Sequence, residues 1–471
     1  MLAALVVATS SLAAVAAPTN TSWRVRLTGP RCSADAITNL GFDDVAVGGN
    51  RTTFDVFFDH AELAASERAL ARGAATGCAV TEREQGRPGR DVLVPEGYRT
   101  PEEIQRLMEL LALTHPGYAA LIDLTEELGT PPTVEGRHIY ALKVSDNADE
   151  DEDEPNLLLV GMHHAREIMG PETVLLVAER LLEDGGDDIK KLVAGTQIYL
   201  AWDWNPDGWR YVFDVDNSWR KNRLPNPDGS FGVDLNRNYP FGWDFTCGGS
   251  TQMSSNSYRG PSAASEPEVQ TMIAWQESRR FAKIIDLHSS GRDVRQNYAA
   301  CAALPDPIDS MYTELVTTVA TDMNYIPVRS CCTGGEISFA FSTHGTLSML
   351  FEQGRSFQPP FADTMEELEL ENLPGILNFF SRPIPAFGHV RDAASGAPIP
   401  DAQLRSTNFE WNYDESVATN RFGSFHLWLP SGTWQINMTA PGYEPAVVDV
   451  EASTESGVEH ELELTPSRSQ S

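Results

Sequence analysis

In the stretch PNLLLVGMHHAREIMGPE, Pro155 to Glu172, an apolar run from Asn156 to Met162 breaks into two histidines, and a glutamate follows three residues after the second. Imidazole and carboxylate are zinc ligands, and a catalytic zinc takes three of them and keeps one position open. A His-x-x-Glu pair at the exit of a buried strand offers two ligands from a rigid base facing a cleft. The third candidate is His288, where the apolar strand "FAKIIDLHSS" stops. His164, Glu167 and His288 together make a His₂Glu set. His163 is then a supporting or packing residue, because only His164 has the three-residue spacing to Glu167.

Hydrolysis at such a centre also needs a base for water, a cation for the developing oxyanion and a grip on the substrate. Glu352 ends the apolar strand "TLSMLFEQG", where a carboxylate is costly unless it is paired or functional. Arg220, Asn236 and Arg237 sit in the aromatic- and Gly-rich run "SWRKNRLPNPDGSFGVDLNRNYPFGW", with "GVDLNRNYP" expected to follow a strand. A guanidinium fork there suits a carboxylate.

The elements that must hold these residues alternate between helical and strand patterns from about Val94 to Arg382. "YRTPEEIQRLMELLALTHPG" carries Thr100 as N-cap, Pro101 at the first helical position and Glu103 to close a capping box. "HIYALKVS", "NLLLVGM", "TQIYLAWDWN", "AKIIDLHSS" and "LSMLFEQ" are apolar enough to be buried on both faces, which predicts an α/β domain with a parallel or mixed sheet. Before it, residues 23–85 alternate strand and helix patterns as a small α/β module, joined by the exposed linker "QGRPGRD". From Pro385 short alternating strands with Gly, Pro and Asn turns predict a β-sandwich of about 80 residues. The run "DNADEDEDEPN" reads as a solvated acidic loop, with a calcium (Ca2+) site as the minority reading.

A chain of 471 residues has room for two or three domains. Its 67 acidic residues against 35 basic ones, a net charge of −32, disfavour nucleic acid and anionic membranes as partners. The opening "MLAALVVATSSLAAVAAPTN" resembles a secretory signal ending near residue 16, and no later run is long and apolar enough to span a bilayer, so a secreted monomer is expected. Six cysteines in an exported chain suggest up to three disulfides. Cys32 and Cys78 share the small module and make a plausible pair. Cys247, Cys301, Cys331 and Cys332 allow three connectivities, and the adjacent Cys331 and Cys332 are not expected to bond each other.

"HAREIMGPE", "NPDGW", "WRKNR", "GVDLNRNYPFGW", "YRGPSAASEPE", "DLHSS" and "LFEQG" stand in the order found in the zinc metallocarboxypeptidases, and residues 98–380 resemble that family. The resemblance implies a mixed eight-stranded sheet flanked by helices and zinc (Zn2+) held by His164, Glu167 and His288. It also implies Glu352 as general acid/base for the attacking water, Arg220 at the scissile carbonyl, and Asn236 and Arg237 on the C-terminal carboxylate of a peptide or protein. Arg166 falls in a neighbouring subsite, and Ile337, beside Glu336, at the specificity position, which favours apolar or aromatic C-terminal side chains. Two positions depart from the family: Ser330 stands where a mobile Tyr is usual, with Tyr325 the nearest Tyr, and Ser290 replaces an aromatic. Residues 17–90 resemble the family's propeptides, with Arg83, Arg87 and Arg90 as places for an activating cut. Residues 94–382 form the expected catalytic domain, and residues 385–466 resemble the transthyretin-like sandwich of some members. The expected activity is release of C-terminal amino acids. A catalytically weak binding protein and a specialised amidase, for example on peptidoglycan peptides, are the alternatives.

Overall fold

A computed structural model describes residues 22–29, 32, 45–47, 53–59, 63–85, 94–183, 185–298, 302–330 and 333–467. The signal-like segment, Arg87 and Arg90 of the linker, and Cys301, Cys331 and Cys332 lie outside the described residues.

In the N-terminal module β1 (Ser22–Thr28), β2 (Val45–Val47), β3 (Thr53–Asp59) and β4 (Ala79–Gln85) form an antiparallel sheet in the order β2-β3-β1-β4, with a helix at Leu63–Thr76. The Cys32–Cys78 disulfide closes it, as expected. Arg83 lies inside β4 opposite Val25, because the strand runs on to Gln85. It is therefore laddered backbone and a poor site for a cut.

The central domain carries β5 (Ala119–Asp123), β6 (Tyr140–Val144), β7 (Asn156–Gly161), β8 (Gln197–Ala201), β9 (Lys283–Ser289), β10 (Asp293–Gln296), β11 (Ile326–Arg329) and β12 (Leu347–Gln353). They make one sheet in the order β11-β10-β12-β9-β7-β8-β6-β5. The four middle strands, β12, β9, β7 and β8, run parallel, and β10 and β6 pair antiparallel at either side of them. Every residue of those four is buried, which is why each reads as a continuous apolar run.

Helices cover both faces. On one face Leu157, Leu159, Ile285 and Leu287 join residues of the helices Pro101–Thr114, Met169–Glu183 and Asp306–Asp322. On the other Leu158, Val160 and Ile284 meet Val269, Met272 and Trp275 of the helix Pro267–Arg279. The first helix starts as its sequence dictates, with the Thr100–Glu103 capping box formed around Pro101. The helix Met169–Glu183 lies so close to β7 that a Cβ on Gly161 would sit 3.2 Å from the Gly170 carbonyl carbon. A side chain there would press on the start of that helix, so glycine suits the close approach.

Beyond Arg382, β13 (Ala386–Asp392), β14 (Gln403–Ser406), β15 (Val417–Ala418), β16 (Ser424–Leu427), β17 (Gly432–Thr439), β18 (Ala446–Ala452) and β19 (Glu459–Leu464) form two sheets, β16-β13-β19 and β15-β14-β17-β18. The sandwich shares one hydrophobic cluster with the central domain. Its 407–415 segment reaches furthest. Tyr413 packs on Phe241 and Tyr298 with ring centroids 5.1 and 5.9 Å apart, and Tyr298 Oη donates to Glu415 Oε1 at 3.1 Å.

The acidic run is also partly docked, which corrects its reading as a simply solvated loop. Asp153 pairs with His389 at 2.7 Å and accepts from Ser424 Oγ, and Asp151 pairs with Arg421 at 2.8 Å. The sandwich presents Arg421, His389 and Ser424 to that loop, so part of its charge is met by protein. Asp146, Glu152 and Glu154 bring carboxylate oxygens within 4.8 Å of one another. Nothing beyond that proximity supports calcium there.

These contacts carry a prediction. Tyr413→Ala should lower stability by about 1–3 kcal/mol, since aromatic pairs contribute beyond their buried area. In a thermal melt the central domain and sandwich should still unfold in one transition at a lower Tm. A sandwich that melts separately, leaving the rest unchanged, would contradict the shared core.

Candidate metal and hydrolytic site

At the C-terminal end of β7 the backbone turns sharply. Met162 takes φ +79°, unusual for a side chain of this kind, and throws His163 and His164 toward the cleft. The turn is braced: Ala165 N donates to Arg220 O at 2.9 Å, and Asn205 Nδ2 to His163 O at 3.1 Å. The adjacent strand β9 delivers Asp286 and His288 on the face opposite Ile285 and Leu287. Between β9 and β10, β12 places Glu352 level with His288.

Three predicted ligands converge. His164 Nδ1 lies 2.9 Å from Glu167 Oε1 and 2.9 Å from His288 Nδ1, and His288 Nδ1 lies 2.8 Å from Glu167 Oε2. The far nitrogen of each ring faces a carboxylate, His164 Nε2 to Asp234 Oδ1 at 3.1 Å and His288 Nε2 to Asp286 Oδ2 at 3.0 Å. If the Nε2 atoms carry the protons, both Nδ1 lone pairs and both Glu167 oxygens point at one place. Four acceptors aimed at one another call for a cation among them. This is the arrangement in which outer carboxylates set the tautomer of metal-binding histidines. The donor set therefore fits zinc.

The charges agree. Burial opposes ionisation of Glu167, but His164 and His288 outweigh it and hold its carboxyl well below the usual range. Burial likewise disfavours charge on His288, yet Asp286 and Glu167 push it up to about 10. His164, with Arg220 close by, is pushed down by burial. Glu167, Asp234 and Asp286 are all held below the usual carboxylate range, so the pocket around the two imidazoles is acidic and suits a cation.

His163 has the supporting place expected of it. Its Nδ1 faces Asp286 Oδ1 at 2.9 Å, its Nε2 faces Tyr239 Oη at 2.8 Å, and its ring stacks on His288 at 5.9 Å. Asp286 thus orients two histidines at once.

Arg220 is fixed by Nε and Nη2 bonds to Asp234 Oδ2, 3.2 and 3.1 Å, with Nη1 3.6 Å from Glu167 Oε1. The expected strand before "GVDLNRNYP" is absent among the described residues. Pro225, Pro227 and the Asp228-Gly229 turn allow only an isolated bridge, Pro225 to Phe231, before the short 3₁₀ turn Leu235–Arg237. That turn holds Asn236 against the site. Its Nδ2 lies 3.2 Å from Asp286 Oδ2 and 2.9 Å from His288 Nε2, while its Oδ1 accepts from Glu336 N at 2.8 Å. Arg237, nearly buried, donates from Nη1 to Asn236 O at 2.6 Å. Arg166 lies over the Phe357 ring, 4.0 Å from its centroid.

Ile337, the second residue of the helix Glu336–His344, is buried beside this turn. The Glu336 carboxyl accepts from Gln276 Nε2 at 2.5 Å, and burial raises it well above the usual carboxylate range. Tyr325 is no substitute for the missing mobile Tyr. It is buried, with its hydroxyl bonded to Glu367 and to Asn372 Nδ2 at 2.9 Å. Ser290 is likewise buried. Cys247 is disulfide-bonded, to a partner outside the described residues.

Glu352 is 8% exposed, and burial pushes its carboxyl up to about 8, with Arg295 opposing the rise and Glu167 adding to it. A carboxylate in such a place accepts a proton readily. Sequence reasoning missed Asp234, Asp286, Asp293 and Arg295. Asp286 had a readable signal: a charge two residues before His288 in an apolar strand must share its face.

The zinc carboxypeptidase family model matches residues 104–346, and the carboxypeptidase regulatory-like domain model matches residues 387–465. The chain is 30% identical over 259 residues to the inactive metallocarboxypeptidase ecm14 of Talaromyces stipitatus, covering 50% of this chain and 42% of that protein. It is also 30% identical over 275 residues to carboxypeptidase A2 of Rattus norvegicus, 55% of this chain and 62% of that one. The chain thus spans about half the length of the curated relatives it matches. Carboxypeptidase A from Helicoverpa armigera has the same fold, with a TM-score of 0.60 over 77% of this chain and 98% of that one at 19% identity.

Proposed function

Since the chain belongs to the zinc carboxypeptidase family, we propose that it is an exopeptidase that hydrolyses the last peptide bond of peptides or proteins, working outside the cell. The observation that carries this reading is the convergence of His164, Glu167 and His288 beside a buried Glu352, Arg220 and Arg237. Zinc, when bound, supplies a Lewis acid that polarises the scissile carbonyl and makes water acidic.

This chain's residues do the rest. Arg237 pairs with the substrate's terminal carboxylate and sets the register of the scissile bond, and Asn236 holds the turn that carries Arg237. Glu352 takes a proton from the water that attacks the carbonyl carbon. Arg220, fixed by Asp234, supplies positive charge where the carbonyl oxygen gains negative charge. The same Glu352 then gives its proton to the departing amine, and the C–N bond breaks. Ile337 offers an apolar base to the side-chain pocket, with Glu336 turned to Gln276, which favours apolar or aromatic terminal residues. Arg166 contacts the preceding part of the peptide. The N-terminal module, joined by a Gly-, Arg- and Pro-rich linker, keeps the enzyme latent until it is cut away.

The rival is an inert binding protein, and the inactive relative makes it concrete. The presence of Glu352, Arg220 and Arg237 together with the whole ligand set speaks for activity. The test uses matched peptides ending in Phe or Arg, each with a free or an amidated C-terminus. Free Phe should be released fastest, the amidated peptides should resist, and Arg237→Ala should raise KM at least about tenfold, the loss of a charge-assisted pair. Equal cleavage of amidated peptides overturns the exopeptidase reading, and a strong preference for Arg overturns the pocket assignment.

A further inference from the structure

On the far side of Glu352 from the metal ligands stands a buried ion pair that no part of the scheme above uses. The register sets it there. β10 runs antiparallel to β12 with Asp293 opposite Glu352, while β12 runs parallel to β9 with Glu352 beside His288. His288, Glu352 and Asp293 therefore form a row across three strands on one face, and Arg295 stands on that face one step along β10.

Two carboxylates directly opposite each other repel, and burial sharpens the cost. Asp293 is 2% and Glu352 8% exposed. Arg295 answers both. Its Nε donates to Asp293 Oδ1 at 2.8 Å and its Nη2 to Oδ2 at 3.4 Å, while Nη1 lies 3.3 Å from Glu352 Oε1. The turn into β10 closes tightly over the group. A Cβ on Gly291 would lie 2.4 Å from Asp293 Oδ2 and 2.9 Å from Glu352 Cβ. The guanidinium is thus clamped by one carboxylate and aimed at the other.

We propose that Arg295, anchored by Asp293, is a positioning residue for Glu352: it engages Oε1 and leaves Oε2 as the oxygen that exchanges protons with water and leaving group. The proposal rests on the reading of Glu352 as the base. Arg295 contributes no atom to the substrate. It fixes the direction of the carboxylate, and Asp293 fixes Arg295.

The experiment compares wild type, Arg295→Ala, Arg295→Lys, Asp293→Asn and Glu352→Gln, each expressed as the full chain, cut in its linker and loaded with zinc, on one peptide series. Arg295→Ala should lose about 10–100-fold in kcat, the scale of an orienting outer partner, with KM and bound zinc nearly unchanged. Added guanidinium ion should restore part of that kcat, which a merely structural defect would not allow. Arg295→Lys should fall between Ala and wild type, and Asp293→Asn should lose less than Arg295→Ala. Unchanged kcat in Arg295→Ala, a loss confined to KM, no response of a folded Arg295→Ala to guanidinium, or a loss seen only with acidic C-terminal residues would each overturn the proposal. Failure of the base reading shows up elsewhere, as turnover retained by Glu352→Gln.

Discussion

Glu352→Gln is expected to bind zinc and peptide as the wild type does and to lose roughly 10²–10⁴-fold in kcat, the scale of general acid–base catalysis. The amide is isosteric, so the strand end, the Arg295 contact and the sheet register with His288 and Asp293 should persist. What goes is the only carboxylate on that face of β12, and with it the acceptor for the proton of water. The separation of effects is the informative part. KM and zinc content should hold while kcat collapses. A Glu352→Gln chain that keeps turnover would remove Glu352 from the chemistry and leave the buried carboxylate without a purpose.

The second large effect concerns the metal. His164→Ala and His288→Ala each delete one of the two Nδ1 donors that face Glu167. Each should weaken zinc binding by more than the roughly 10–100-fold lost when an outer partner is removed. Asp234→Asn and Asp286→Asn supply that smaller comparison, because each touches the far nitrogen of one ligand. Equilibrium dialysis against zinc should rank the four variants in that order. Asp286→Asn should be the worse of the outer pair, since Asp286 serves His163 as well as His288. If His288→Ala and Asp286→Asn bind zinc equally, His288 is not a ligand.

The parts of the fold that announce themselves in the sequence are the ones buried on both sides. β7, β9 and β12 are largely apolar runs, and each has at or just past its end a residue no core would choose, so strand and site are legible together. β10 and β11 escape because they are four residues each, "DVRQ" mostly polar and "IPVR" interrupted by a proline. Only the register with β12 shows that Asp293 and Arg295 belong to the site. Asp234 hides for a different reason: its loop lacks a strand, so no periodicity tells which way it faces. The acidic run misled because its partners, His389, Arg421 and Ser424, come from a domain more than 230 residues later in sequence. The Cys32–Cys78 pair was legible because both residues close one small module. The remaining disulfide partner of Cys247 was not, since three cysteines compete for it.

The most direct test of the central claim joins metal and turnover in one titration. The purified chain, cut in its linker and stripped with a chelator, is reloaded with zinc in steps, and release of free amino acid from a peptide with an unmodified C-terminus is followed. Activity should rise linearly and stop at one zinc per chain, with single residues removed from the C-terminus only. A chain that fills with one zinc, binds the peptide and releases nothing would contradict the account and identify an inert binding protein instead.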